Sequence, residues 1–115
     1  MHKDWGAIAG ELSALMADTR TGIPDVGKAF GQLAAVATAP GALDTKTKEL
    51  IALAIAIAGR CDGCIAFHVR AAVRQGATRE EILETIGTAI YMGGGPSMVY
   101  GAQALEAFDQ FSAAA

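Results

Sequence analysis

Charge is scarce in this sequence. Asp, Glu, Lys and Arg make up 18% of its 115 residues, against about 25% in an ordinary soluble domain. So little charge covers a lone globule poorly, and self-association is expected. A basic stripe is missing too: the nine Lys and Arg are scattered and the net charge is −3, which argues against a nucleic-acid or anionic-membrane partner. The longest apolar run, Leu50 to Ala58, falls far short of the roughly 20 residues of a membrane span. No apolar signal region follows Met1-His2-Lys3-Asp4-Trp5, so the cytoplasm is the default location. Two cysteines separated by two residues cannot build a disulfide framework. Linkers, long repeats and disordered blocks are absent, and residues 1–115 read as a single domain.

What is present is helical. Trp5, Ile8, Leu12, Leu15 and Met16 fall on one stripe that ends at Thr19-Arg20-Thr21-Gly22. Pro24 suits the first turn of a second helix carrying Val26, Phe30, Leu33 and Val36, and Pro40-Gly41 stops it. These two form a hairpin. Asp44 can cap a third helix whose Leu50–Ala58 run is apolar all round, which places it in the centre. Gly59 then permits a sharp bend before a fourth helix, about Asp62 to Gln75, closed by Gly76. Thr78-Arg79-Glu80-Glu81 reads as a capping box for a fifth helix with Ile82, Leu83, Ile86, Ala89 and Ile90. Gly93-Gly94-Gly95-Pro96 breaks it, and Met98, Ala102, Leu105 and Phe108 mark a last helix. The expected fold is an all-α bundle of five to six helices.

The chemistry concentrates in Cys61-Asp62-Gly63-Cys64-Ile65-Ala66-Phe67-His68. On a helix the spacing i, i+3, i+7 puts Cys61, Cys64 and His68 on one face. Cysteines at i, i+3 stand about 5 Å apart at Cα, within reach of a disulfide. His68, one turn beyond Cys64, can take a thiol proton. A Cys-x-x-Cys pair can also be half a zinc site or two small buried residues. Zinc needs two further ligands, for which only Glu49 and His68 are plausible, so no bound metal is expected. A thioredoxin-type site needs a βαβ setting that this pattern lacks.

Glu49 directly precedes the apolar run. It either sets a negative charge in the first turns of the third helix or, if buried, pairs with a histidine and accepts protons. His2 lies on a terminus expected to fray and is given no role. Gly93-Gly94-Gly95-Pro96-Ser97 lacks the Lys-Ser/Thr ending of a phosphate loop and reads as a flexible connection. Tyr91 and Tyr100 flank it as core or pocket-wall residues. Arg60, Arg70 and Arg74 read as solvated edges; Arg60 can also favour a thiolate at Cys61, which Asp62 opposes.

Glu49, eleven intervening residues, Cys61-x-x-Cys64, three more residues and His68 resemble the alkylhydroperoxidase D-like branch of the carboxymuconolactone decarboxylase family. The similarity extends to Gly76-Ala77-Thr78-Arg79-Glu80-Glu81-Ile82 and to the glycine-rich break, spanning residues 25 to 110. The resemblance implies an all-helical fold, assembly into trimers or hexamers, and peroxidase or disulfide-reductase chemistry on a hydroperoxide substrate without organic cofactor. It makes Cys64 the attacking thiol, Cys61 the resolving one, and Glu49 and His68 a proton relay. An external dithiol, a lipoyl group or a thioredoxin-like protein, regenerates the pair. The best-characterised peroxidase pattern carries a histidine immediately before the second cysteine, where this chain has Gly63. Alternatives are a decarboxylase-like or isomerase-like enzyme using Glu49 and His68 on a small carbonyl compound, and a redox-sensing or zinc-binding module.

Overall fold

Residues that start and stop helices set the element order. The computed structural model describes residues 1–115 and contains six helices: α1 (Trp5–Gly22), α2 (Pro24–Thr38), α3 (Thr45–Ala58), α4 (Asp62–Arg74), α5 (Arg79–Gly93) and α6 (Gly95–Ala114). Asp4 caps α1 by accepting from the Ala7 amide at 3.0 Å, and Asp44 caps α3 through Thr47 at 2.8 Å. Each satisfies an amide that would otherwise lack a partner. Pro24 occupies the first turn of α2. Thr78 and Glu81 form the reciprocal capping box of α5. Lys46 of α3 reaches Glu81 at 2.8 Å, and this hydrogen bond, with that from Thr78, holds the Glu81 carboxyl below its ordinary range. Gly76, at φ +83°, supplies the left-handed residue that ends α4.

Helices α3 to α6 pack on one another, and α1 closes over α4 and α6. Leu53, Ala56 and Ile57 of α3 meet Ile65, Ala66, Val69 and Ala72 of α4, with Ile82, Ile86 and Ala89 of α5 and Ala104, Ala107 and Phe108 of α6. The small residues let helix axes approach closely. Trp5 is fully buried, and its indole N–H donates to Glu106 at 2.9 Å, so the polar atom it carries inside is satisfied. No helix is long and apolar enough to cross a membrane.

Several expectations need correction. Helix α2 buries nothing: Val26, Phe30, Leu33 and Val36 face outward, Phe30 with 64% of its surface exposed. The second half of α1 and all of α2 stand off the core, and the radius of gyration is 14.2 Å, above the roughly 13 Å of a spherical domain this long. Helix α3 is central on one side only, since Ile51 and Ile55 are exposed, Ile55 at 68%. Periodicity shows that a face is apolar, not what covers it.

Between α3 and α4 the left-handed residue is Arg60, at φ 56°, rather than Gly59. Gly59 has φ −78°; a Cβ there would meet the Ile55 carbonyl oxygen at 3.0 Å. The glycine-rich break is a tight junction of one residue, Gly94 at φ 71°, between α5 and α6. A Cβ on Gly93 would collide with the Ser97 side chain. Tyr91 is exposed, whereas Tyr100 packs against the core. Arg70 is no solvated edge: its guanidinium lies 5.6 Å from the centre of the Phe67 ring, and its Nε is buried without a partner. The backbone at His2 has a partner after all: its amide donates to Glu106 at 2.6 Å.

Candidate active site

The turn through Gly59 and Arg60 delivers Cys61 to the N-cap of α4, with extended backbone at φ −111° and ψ 99°. From there Cys61 Sγ accepts from the Cys64 amide at 3.2 Å. One helical turn on, Cys64 comes within bonding reach, and the two sulfurs form a disulfide with Cα atoms 5.2 Å apart. The separation matches that of residues i, i+3. The buried face of α4 anchors the motif: Ile65, Ala66 and Val69 are wholly enclosed, so the start of the helix is held on a rigid base.

Glu49 projects from α3 into the interior, 7% exposed. A carboxylate removed from water needs a partner. It finds one in His68 of α4, whose Nδ1 lies 2.7 Å from Glu49 Oε2. With a carboxylate accepting from Nδ1–H, the imidazole is held in one tautomer and Nε2 becomes the ring position free to take a proton. Of the two readings open for Glu49, the buried, histidine-paired one holds.

The disulfide and His68 meet at a cavity of about 400 Å³ lined by Ala52, Ile55, Ala56, Gly59, Cys61, Cys64 and His68, with Glu49 behind the imidazole. Its walls are otherwise aliphatic, which suits an organic substrate beside a nucleophile and a base. A larger cavity of about 480 Å³ between α1 and α2, bounded by Met16, Thr19, Arg20, Ile23, Val26 and Phe30, has no cysteine, histidine or carboxylate in its lining. We therefore place the site at the smaller one. No three His, Cys, Asp or Glu side chains converge as a metal ion requires.

Gly63 occupies the position where the peroxidase pattern has its extra histidine, and the structure accounts for the glycine. A Cβ at residue 63 would lie 2.6 Å from Cδ1 of Leu12. Helix α1 thus fills the space an imidazole would need, and the dithiol opens on the α3 side.

Three groups near the site escaped the sequence reading. Lys3 reaches Asp62 Oδ2 at 2.6 Å and Gln103 Oε1 at 2.6 Å. Glu106 accepts from the amides of His2 and Lys3 and from the Trp5 indole. Those amide hydrogen bonds, His2 first, bring its carboxyl from an ordinary 4.5 to about 2. Leu12 is the third. No local spacing signals these contacts, because the partners lie far apart along the chain.

Fold and site together describe a small all-helical protein with a Cys-x-x-Cys disulfide beside a buried carboxylate–imidazole pair. The chain belongs to the carboxymuconolactone decarboxylase family, whose model matches residues 24–107. A family protein from Legionella pneumophila, solved in its apo form, superposes with a TM-score of 0.91 at 52% identity, covering 94% of this chain and 96% of that one. A family protein from Thermotoga maritima, for which a part in the antioxidative response has been suggested, gives 0.71 at 34% identity over 76% of this chain and 90% of its own. An uncharacterized protein of Cupriavidus necator is 42% identical over 90 residues, 78% of this chain and 80% of that one. Uncharacterized protein 4 in the cox locus of Paracoccus denitrificans is 39% identical over 104 residues, 90% and 94% of the two chains.

Proposed function

We propose that this protein is a thiol peroxidase and disulfide reductase of the alkylhydroperoxidase D-like kind, acting on hydroperoxides through Cys61 and Cys64. The observation that carries the reading is the Cys61–Cys64 bond in the lining of a cavity that also presents His68, itself held by Glu49. The suggested antioxidative part of the Thermotoga maritima relative supports it.

In the reduced protein His68, backed by Glu49, takes the proton of Cys64. The thiolate attacks the terminal peroxide oxygen: an S–O bond forms, the O–O bond breaks, and the alkoxide leaves as alcohol after receiving the proton. Cys61 then attacks the sulfenic sulfur, an S–S bond forms, and the S–O bond breaks to release water. Two thiols have lost two electrons and the peroxide has gained them. A dithiol donor, lipoyl or thioredoxin-like, restores the pair by exchange.

The working form is a homo-oligomer of three or six copies in the cytoplasm, in which further copies cover α2 and the outer side of α3. The exposure of Phe30, Leu33, Val36 and Ile55 supports that assembly.

The test is turnover. Peroxide consumption is followed with dihydrolipoamide in excess over the protein. Many turnovers per chain, lost in Cys61→Ser and in Cys64→Ser, support the reading. Activity toward a small carbonyl compound that survives both substitutions would transfer the chemistry to Glu49 and His68 alone.

A further inference from the structure

The start of α4 holds two opposed influences. The helix dipole and the free amides of the first turn favour a thiolate at Cys61. Asp62, the first residue of the helix, places a carboxylate against the same turn and works the other way. The remaining charges around this turn are Arg60 in the preceding bend, Glu49 of α3 with His68 of α4, and Glu106 of α6. Glu49 and Glu106 are already committed, the first to His68 and the second to the N-terminal amides. Helix α1 meets Gly63 through an aliphatic side chain, Leu12. Asp62 is thus the uncommitted carboxylate at the cysteines, and the group that answers it is Lys3.

Lys3 is held by a clamp that does not depend on its side chain. Its amide donates to Glu106 at 3.0 Å and its carbonyl accepts from Gln110 Nε2 at 2.7 Å. The buried Trp5 anchors the next turn, and its amide donates to Gln110 Oε1 at 2.9 Å. The ammonium is then fixed between Asp62 and Gln103 and lies 5.6 Å from the Trp5 ring centre. Holding the ammonium on two partners gives up the freedom of a long side chain. The Lys3 and Asp62 side chains remain 29% and 39% exposed, so the pair adds little to stability. What the pair does set is the charge next to Cys61, since Asp62 is the residue that follows it.

We propose that Lys3 is a positioning residue for the dithiol: by neutralising Asp62 it leaves the N-terminal field of α4 acting on Cys61. The N-terminal segment thereby tunes how readily the pair is reduced and re-formed. This deepens the peroxidase reading and relies on it for its use, but the effect on the thiol exists whatever the substrate.

The experiment measures alkylation of the fully reduced, full-length protein by iodoacetamide as a function of pH, read separately at Cys61 and Cys64 by mass spectrometry of peptides. Lys3→Gln should raise the apparent pKa of Cys61 by about half a pH unit, a roughly threefold loss of thiolate below that pKa. Asp62→Asn should lower it by a similar amount, because Lys3 is then unopposed. The double variant should return to near the wild-type value, and Lys3→Arg should keep it. The backbone clamp is retained in Lys3→Gln, and circular dichroism checks that helix content is unchanged. A purely structural contact predicts no opposition of sign. Shifts in one direction for both single variants, or a flat response to either, overturn the proposal. A wild-type protein that fails to turn over peroxide would sink the peroxidase reading while leaving this measurement standing.

Discussion

Substituting Gly63 by alanine puts a methyl group 2.6 Å from Leu12 Cδ1, well inside van der Waals contact. Overpacking of this kind costs about 1–3 kcal/mol. Leu12 is half-buried and the offending atom is the end of a flexible side chain, so the lower part of that range applies. Alanine in place of glycine returns up to about 1 kcal/mol of helix propensity, less so near a helix start. The net loss should therefore be about 1 kcal/mol. Once Leu12→Ala has emptied the space, the propensity gain stands alone, and Gly63→Ala should stabilise by about 0.5 kcal/mol. The two substitutions should thus couple by about 1.5 kcal/mol. The assay is urea unfolding of the oxidised protein at fixed chain concentration, run as a double-mutant cycle. Additivity within about 0.5 kcal/mol would refute the claim that α1 fills the position of the missing histidine. The same geometry implies that Gly63→His is tolerated only together with a smaller residue at position 12.

Replacing Glu49 by Gln keeps its size but removes the charge that accepts from His68, so peroxide-driven thiol loss in stopped-flow should slow by about 100-fold. An unchanged rate would remove Glu49 from the relay. Glu106 has its carboxyl lowered from 4.5 to about 2 in the folded chain. Its stabilising contribution is therefore fully present above pH 4.5 and is lost as the pH falls toward 2. Thermal unfolding across that window should show a steeper decline for wild type than for Glu106→Gln. For assembly, Phe30→Glu together with Leu33→Glu should reduce the mass seen by light scattering, and a wild-type protein that is already monomeric at micromolar concentration would contradict the oligomer.

How far the sequence reading reached depended on the range of each interaction. Asp44, Thr78 with Glu81, and Gly76 act within one turn, so their roles could be read from spacing. Cys64 and His68 share one helix with Cys61 at its N-cap, and their nearness was legible for the same reason. Glu49 was different: its place just before the apolar run drew attention to it but left two readings open, and only the packing of α3 on α4 pairs it with His68. Contacts between distant segments carried no local sign. Lys3 meets Asp62 and Gln103, Trp5 meets Glu106, and Leu12 covers Gly63 only because α1 and α6 pack around α4. The terminus looked free because its partners lie about a hundred residues away. The bend at residues 59 and 60 misled in another way, since glycine is the usual left-handed residue and here Arg60 takes that conformation while Gly59 answers to space.

The most direct test of the account is the site at which peroxide first strikes. Reduced Cys61→Ser protein is treated with a stoichiometric hydroperoxide in the presence of a sulfenic-acid trap, and the adduct is located by mass spectrometry. A stoichiometric adduct should appear on Cys64, formed at close to the wild-type rate of thiol loss and slowed by Glu49→Gln. An adduct that forms instead on Cys61 in Cys64→Ser protein at the wild-type rate, with Cys64 unreactive in Cys61→Ser, would contradict it.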